Sequence, residues 1–270
     1  MGTIVASGRF YAWEGGSLFI GHSVGAIPMH AHHAAQVTFG AEPGVRFRAS
    51  DDEPWVSYDG VYIPSHQPHA MDATAVSVGA VLLVEPETRE GRALAAQHAG
   101  GGIVEVPLAA FAPAGVALLD TWKAGAPAQA VVAAARRAVA ELTGQAPPGE
   151  PTDERVLRAI EHVRAAIDVP HTLEEVAAVA CLSPERFRHL FVAETGMGLR
   201  AYMLWLRLLR AWDLALTGSS LSAAAHGAGF ADAAHLTRTC RRMLGLSPSM
   251  LQHADGPRVA GAEATAARAD

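Results

Sequence analysis

Two groups of side chains in this sequence have the types and spacing to do chemistry. The first is a run of imidazoles in Met29-His30-Ala31-His32-His33-Ala34-Ala35-Gln36, followed by His66 and His69 in Gly60-Val61-Tyr62-Ile63-Pro64-Ser65-His66-Gln67-Pro68-His69. On a strand alternate residues share a face, so His30, His32 and Gln36 are expected on one side. A metal site there would use His30, His32 and His69, with Gln36 or water as fourth ligand. Such a set suits Zn, Cu, Ni or Fe, and without a carboxylate it holds harder cations weakly. The other reading is that the same histidines are a hydrogen-bonded polar lining for an organic effector. Trp13, Phe19, Phe39, Phe47, Trp55 and Tyr62 are candidates to wall an apolar pocket beside them, or simply to fill the core.

The second group is rich in arginine and lies on two short amphipathic helices. From Leu173 to Gly196, and again up to Gly245, the pattern reads as a short helix, a tight turn and a second helix ended by glycine. The units repeat at roughly 48 residues. Thr172 with Glu175 forms a capping box, Ser183 caps a helix with Pro184 at its first position, and Asp232 caps the last main helix. Helical spacing turns Phe187, Leu190 and Phe191 inward and leaves Glu185, Arg186, Arg188 and His189 outside. In the second unit Leu236 and Met243 turn inward, while His235, Thr237, Arg238, Arg241 and Arg242 stay outside. Two such helices about 34 Å apart could enter successive major grooves of DNA. A helical bundle with solvated arginines fits the periodicity equally well.

These groups need elements to hold them. Up to Val84 the chain shows short β-branched and aromatic segments bounded by Gly, Pro and Asp, among them Ser17–Gly21, Gln36–Phe39, Val45–Arg48, Val61–Ile63 and Ala75–Val84. That texture implies a sandwich or barrel. Helices are expected over Glu87–His98, Val116–Trp122 and Ala128–Leu142. The stripe Val131, Val132, Ala135, Val139 and Leu142 serves either as packing on the barrel or as a homodimer contact. Gly144 to Pro151 holds two Gly and three Pro and reads as a linker. The expected fold class is therefore α+β. Its parts are an effector-sensing domain with a candidate dimer contact over 1–143, a linker over 144–151, an all-α domain over 152–253 and an unstructured tail over 254–270.

Half of the 270 residues are hydrophobic and the net charge is −6, so the chain is globular and shows no global basic field. Any nucleic-acid site must be a local patch. Lys123 is the only lysine, so that patch would be made of arginine. The two cysteines, Cys181 and Cys240, make no metal-binding or disulfide motif and fit a reducing compartment. With neither a signal-peptide pattern nor a membrane-length apolar run, the expected location is the cytoplasm, with no membrane partner.

The helical half resembles the C-terminal domain of AraC/XylS transcription regulators. The resemblance rests on Leu173-Glu174-Glu175-Val176-Ala177, Leu182-Ser183-Pro184, Phe187, Phe191, Thr195-Gly196, Tyr202, Arg207 and Arg210-Ala211. It continues through Gly229-Phe230-Ala231-Asp232, His235-Leu236-Thr237-Arg238 and Gly245-Leu246-Ser247-Pro248. It implies two helix-turn-helix motifs, binding to double-stranded promoter DNA and contact with RNA polymerase. By position, the family's base-facing places fall on Glu185, Arg188 and His189, and on Ala233, Ala234, His235, Thr237 and Arg238. His189 stands where arginine is common, Ala234 where Ser or Gln is common, Ala224 for Val or Ile, and Cys240 for a buried Phe. These departures imply a loosely packed second unit. The histidine segments resemble the two cupin motifs, with Gln36 in place of Glu.

Together these readings describe an AraC-type regulator, an activator, that answers a small molecule or metal in the barrel. The alternative is a metal-dependent cupin enzyme, an oxygenase or isomerase, with an accessory helical domain.

Overall fold

A computed structural model describes residues 5–144 and 152–250. All but the first residue of the expected linker, and the whole expected tail, lie outside the described residues.

The N-terminal half contains strands β1 (Ala6–Trp13), β2 (Gly16–Ser23), β3 (Ile27–His30), β4 (Ala35–Gly40), β5 (Val45–Arg48), β6 (Val56–Tyr58), β7 (Gly60–Ile63), β8 (His69–Asp72), β9 (Gly79–Val84) and β10 (Val104–Glu105). They form two antiparallel sheets, one ordered β1-β2-β9-β4-β7-β10 and one ordered β3-β8-β5-β6. This is a barrel-like sandwich of the expected class. Glu14-Gly15 turns β1 into β2 with Gly15 at φ +85°, a conformation that favours glycine.

Strand alternation gives the large sheet two apolar faces. Leu18, Ile20, Val37, Phe39 and Leu82 face helices α1 (Arg89–Gln97), α2 (Ala114–Lys123) and α3 (Ala128–Thr143). Phe19, Val81 and Leu83 point the other way, toward the helical domain. Val131, Ala135 and Val139 of α3 are buried in the sandwich core, with Val132 and Leu142 packed beside them. That stripe is therefore internal packing and is not free for a dimer contact. Of the expected aromatic wall, Phe19 alone lines the apolar space beside the histidines. Phe39, Phe47 and Tyr62 are core, Trp55 lies under the Arg48 guanidinium at 4.9 Å, and Trp13 packs on the helix side.

The C-terminal half holds α4 (Glu154–Ala165), α5 (Leu173–Val179), α6 (Pro184–Thr195), α7 (Leu199–Leu216), α8 (Leu221–Gly227) and α9 (Ala233–Leu244). The three caps expected for α5, α6 and α9 are present. Thr172 and Glu175 form a full capping box on α5, and Ser183 and Asp232 accept from the backbone N–H groups of Arg186 and His235. Gly196 and Gly245 end the two second helices in the left-handed conformation, at φ +74° and +69°. Trp205, Tyr202, Phe187 and Phe191 are almost fully buried and make α7 the spine of the domain. Among the described residues no helix is long and apolar enough to cross a membrane.

The two halves share one apolar cluster, in which Val5, Ala6, Ala34 and Leu83 join the helical core. Across the seam Arg164 pairs with the buried Glu85, and Arg92 pairs with Glu194. Glu87 accepts from Tyr202 Oη at 2.6 Å and from His33 Nε2 at 2.9 Å.

Candidate imidazole cluster and DNA-reading helices

His30 ends β3, His69 starts β8 opposite it, and His32 lies in the turn before β4, which carries Gln36. His30 and His32 are thus not neighbours on one strand, as the alternation rule expected. The turn between β3 and β4 brings them together instead. His30, His32 and His69 are all buried, and one ring nitrogen from each lies within 4.8 Å of the others. Their ring centroids are 4.2 to 5.6 Å apart.

The hydrogen bonds fix the tautomers. Nδ1–H donates to a backbone carbonyl in each case: Pro28 at 2.8 Å for His30, Ala34 at 2.8 Å for His32 and Gln67 at 2.9 Å for His69. That leaves three Nε2 lone pairs as the free acceptors, the outer-shell arrangement that metal-binding imidazoles use. His69 Nε2 is buried without a hydrogen-bond partner. His32 Nε2 faces Gln36 Oε1 at 3.0 Å, which opposes two acceptors. Turning over the Gln36 amide would relieve that contact, and so would a cation between the two atoms.

Burial is the main cause that holds all three imidazoles below their usual range, with His30 lowered to about 4; repulsion from His32 adds to it at His30, from His30 and His32 at His69, and from His33 and His66 at His32. A site of neutral, converging imidazoles fits a borderline transition metal. His30, His32 and His69 would be the ligands and Gln36 the neighbouring oxygen.

On α6, Glu185, Arg186, Arg188 and His189 are all exposed while Phe187 and Phe191 are buried. On α9, Ala234, Arg238, Arg241 and Arg242 are exposed, whereas Ala233, His235 and Thr237 are half-buried. Thr237 Oγ1 donates back to the Ala233 carbonyl at 2.7 Å, and the His235 ring packs edge-on against Phe230 at 5.1 Å. Those two side chains are therefore partly engaged by their own domain. The five exposed arginines of the two helices, Arg186, Arg188, Arg238, Arg241 and Arg242, supply the local positive charge that the overall charge conceals.

The second unit packs better than its residue types suggest. Cys240 and Ala224 are fully buried, and Trp212 Nε1–H donates to Cys240 Sγ at 3.3 Å, so the indole occupies the room a larger side chain would take. Burial pushes the Cys240 thiol up to about 12.

Residues 176–254 match the family described as a helix-turn-helix domain. They form a helix-turn-helix domain of the AraC type. The match lies in the C-terminal half of the chain. Over nearly the whole chain the architecture is that of ToxT from Vibrio cholerae O395, with a TM-score of 0.54 and 11% identity, covering 90% of this chain and 98% of that one. At that identity the likeness concerns the fold. Smaller matches are a probable AraC family transcriptional regulator from Rhodopseudomonas palustris CGA009, at 28% identity over 38% of this chain and 98% of that one with a TM-score of 0.35. Another is the DNA-binding domain of AdpA in complex with a target DNA, at 26% over 37% and 91%, also with a TM-score of 0.35.

The sequence reading missed the seam residues Glu85, Glu87, Arg164, Tyr202 and His33. No local pattern marks them, because partners 38 to 115 positions apart meet only on folding. The one available hint was a Glu-Pro-Glu step directly after an apolar strand. It missed as well the contact of both recognition helices with the sandwich. A Cβ added to Gly245 would stand 2.8 Å from the Pro28 carbonyl oxygen and 3.0 Å from His30 Nδ1, and one on Gly196 would stand 3.6 Å from His66 Nε2.

Proposed function

We propose that this protein is a promoter-binding activator in which the sandwich senses a small molecule or metal and governs how α6 and α9 meet DNA. The observation that carries the reading is the seating of α9. Its C-terminal glycine lies against His30 and Pro28, so a change at the imidazole cluster reaches a DNA-reading helix through one contact. Helix-turn-helix proteins read bases with the N-terminal part of the second helix, and here those ends carry the exposed Glu185, Arg186 and Arg188 on α6 and Ala234 and Arg238 on α9. We assign base contacts to Glu185, Arg188, His189, Ala233, Ala234, His235, Thr237 and Arg238, and phosphate contacts to Arg186, Arg241 and Arg242. Phosphate contacts supply most of the affinity and make it fall with salt.

RNA polymerase is the second macromolecular partner of this reading, and the cytoplasm is its place of action. A homodimer would have to use a face other than the α3 stripe. A divalent transition metal at His30, His32 and His69 is the effector or cofactor that the tautomer pattern supports. The metal-dependent oxygenase or isomerase is the weaker reading, because Trp212 and Leu244 of the helical domain wall the space beside the imidazoles. Titrating the full chain with Zn²⁺, and measuring its affinity for a selected DNA site with and without the metal, tests the proposal. A change of ten-fold or more is expected. Tight metal binding with no change in DNA affinity and turnover of a substrate would favour the enzyme.

A further inference from the structure

A cavity open on one side lies where the two domains meet. Phe19 and Val81 of the large sheet form one wall. The opposite wall is Leu209 and Trp212 of α7 with Leu244 and Leu246, which flank Gly245 at the end of α9. The Phe10 ring meets Trp212 edge-on at 5.9 Å across the seam and helps close one side. The polar side chains of the lining are His22, Ser23, His30, His32, Gln36 and Thr38, and no Lys, Arg, Asp or Glu is among the lining residues.

That distribution specifies the guest. An apolar body gains by leaving water, at about 25 cal/mol per Å² of surface buried. In the metal-free protein a carboxylate or ammonium entering the same space would lose its hydration and find no Lys, Arg, Asp or Glu to pair with, which is strongly unfavourable. A neutral hydroxyl, ketone or ester oxygen keeps a partner, because the Thr38 hydroxyl accepts from the Gln36 amide at 2.9 Å and has its own proton to donate at the imidazole end. We propose that the cavity is a binding site for an elongated, uncharged, apolar small molecule, with its polar head at Gln36 and Thr38 and its body between Val81 and the Leu209–Trp212 face. An occupant there touches both domains. This inference rests on the sensor reading of the sandwich.

The test uses N-phenyl-1-naphthylamine, a neutral apolar fluorophore, with the full-length protein at pH 8 in EDTA. Saturable enhancement at one probe per chain is expected, with 1-decanol displacing the probe and decanoate at least ten-fold less effective. Val81→Trp fills the cavity from the sheet side and Leu209→Trp from the helical side. Each should weaken probe binding at least ten-fold in protein that keeps its circular dichroism, and the two sides guard against one variant failing to fold. No saturable binding overturns the site. Decanoate competing as well as decanol overturns the uncharged class, and probe binding untouched by both fillings overturns the location. Probe binding of the expected kind that leaves DNA affinity unchanged supports the site but overturns the sensor reading beneath it.

Discussion

Replacing Arg164 by Met should loosen the seam between the domains while keeping most of the side chain's packing. Glu85 is 3% exposed, and the Arg164 guanidinium is the cation that faces it. Removing one partner of a buried pair costs about 3–5 kcal/mol because the other charge is left without compensation. The Arg164 side chain is 25% exposed, so water can reach part of the vacated space and a loss of about 2–4 kcal/mol is expected at pH 8. The pH dependence carries a sign. Burial already raises the Glu85 carboxyl, and Arg164 offsets only part of that rise. Without Arg164 the folded state holds the proton to still higher pH than the unfolded chain, so it binds more protons. Stability then falls as pH rises above about 4.5, by at most about 1.4 kcal/mol per unit, and the deficit against the parent shrinks on acidification. Urea denaturation at pH 5.5 and pH 8 reads both effects. The double variant Arg164→Met with Glu85→Gln should recover most of the loss, since it removes the stranded charge as well. A single variant within about 1 kcal/mol of the parent at pH 8, or one whose deficit does not vary with pH, would refute the assignment of a buried ion pair.

Other expectations follow from the same structure. Arg238→Ala should weaken binding to a selected DNA site by about 1–3 kcal/mol, measured by fluorescence anisotropy, with much less effect on bulk non-specific binding. Zn²⁺ or Ni²⁺ should bind at one ion per chain by calorimetry, and His69→Ala should lower that affinity at least ten-fold, since it removes a whole ligand. Ellman's reagent at pH 8 should titrate the exposed Cys181 in native protein and reach Cys240 only in denaturant, because burial holds the Cys240 thiol near 12 and shields it. Phe187→Ala should cost about 3–5 kcal/mol in the thermal or urea unfolding of the helical domain, given its full burial.

The helical domain was legible because its signals are local. Caps at Thr172, Ser183 and Asp232, the glycine stops at 196 and 245, and the apolar spacing of Phe187 and Phe191 each specify a boundary within a turn or two of chain. The sandwich was half legible. Val45–Arg48 alternates cleanly, but β8 at the histidines, equally short, is buried on both faces and gives no alternation to read. The imidazole cluster was found for a reason that does not hold: a strand face was invoked where a turn does the work. The cavity and the buried carboxylates of the seam were invisible, since they exist only once α4, α7 and α9 lie on the large sheet. Gly245 was read correctly as a helix stop, yet its contact with His30 depends on two segments more than 200 residues apart.

Selection of double-stranded DNA from a random pool by the full-length protein tests the central claim most directly. The account predicts enrichment of a site with two conserved blocks about one helical turn apart, bound with an affinity that falls steeply between 50 and 200 mM salt, roughly as expected for several phosphate contacts, and lost in the Arg238→Ala variant. A pool that remains unenriched after repeated rounds, or binding that is equal for all sequences and indifferent to Arg238, would contradict it.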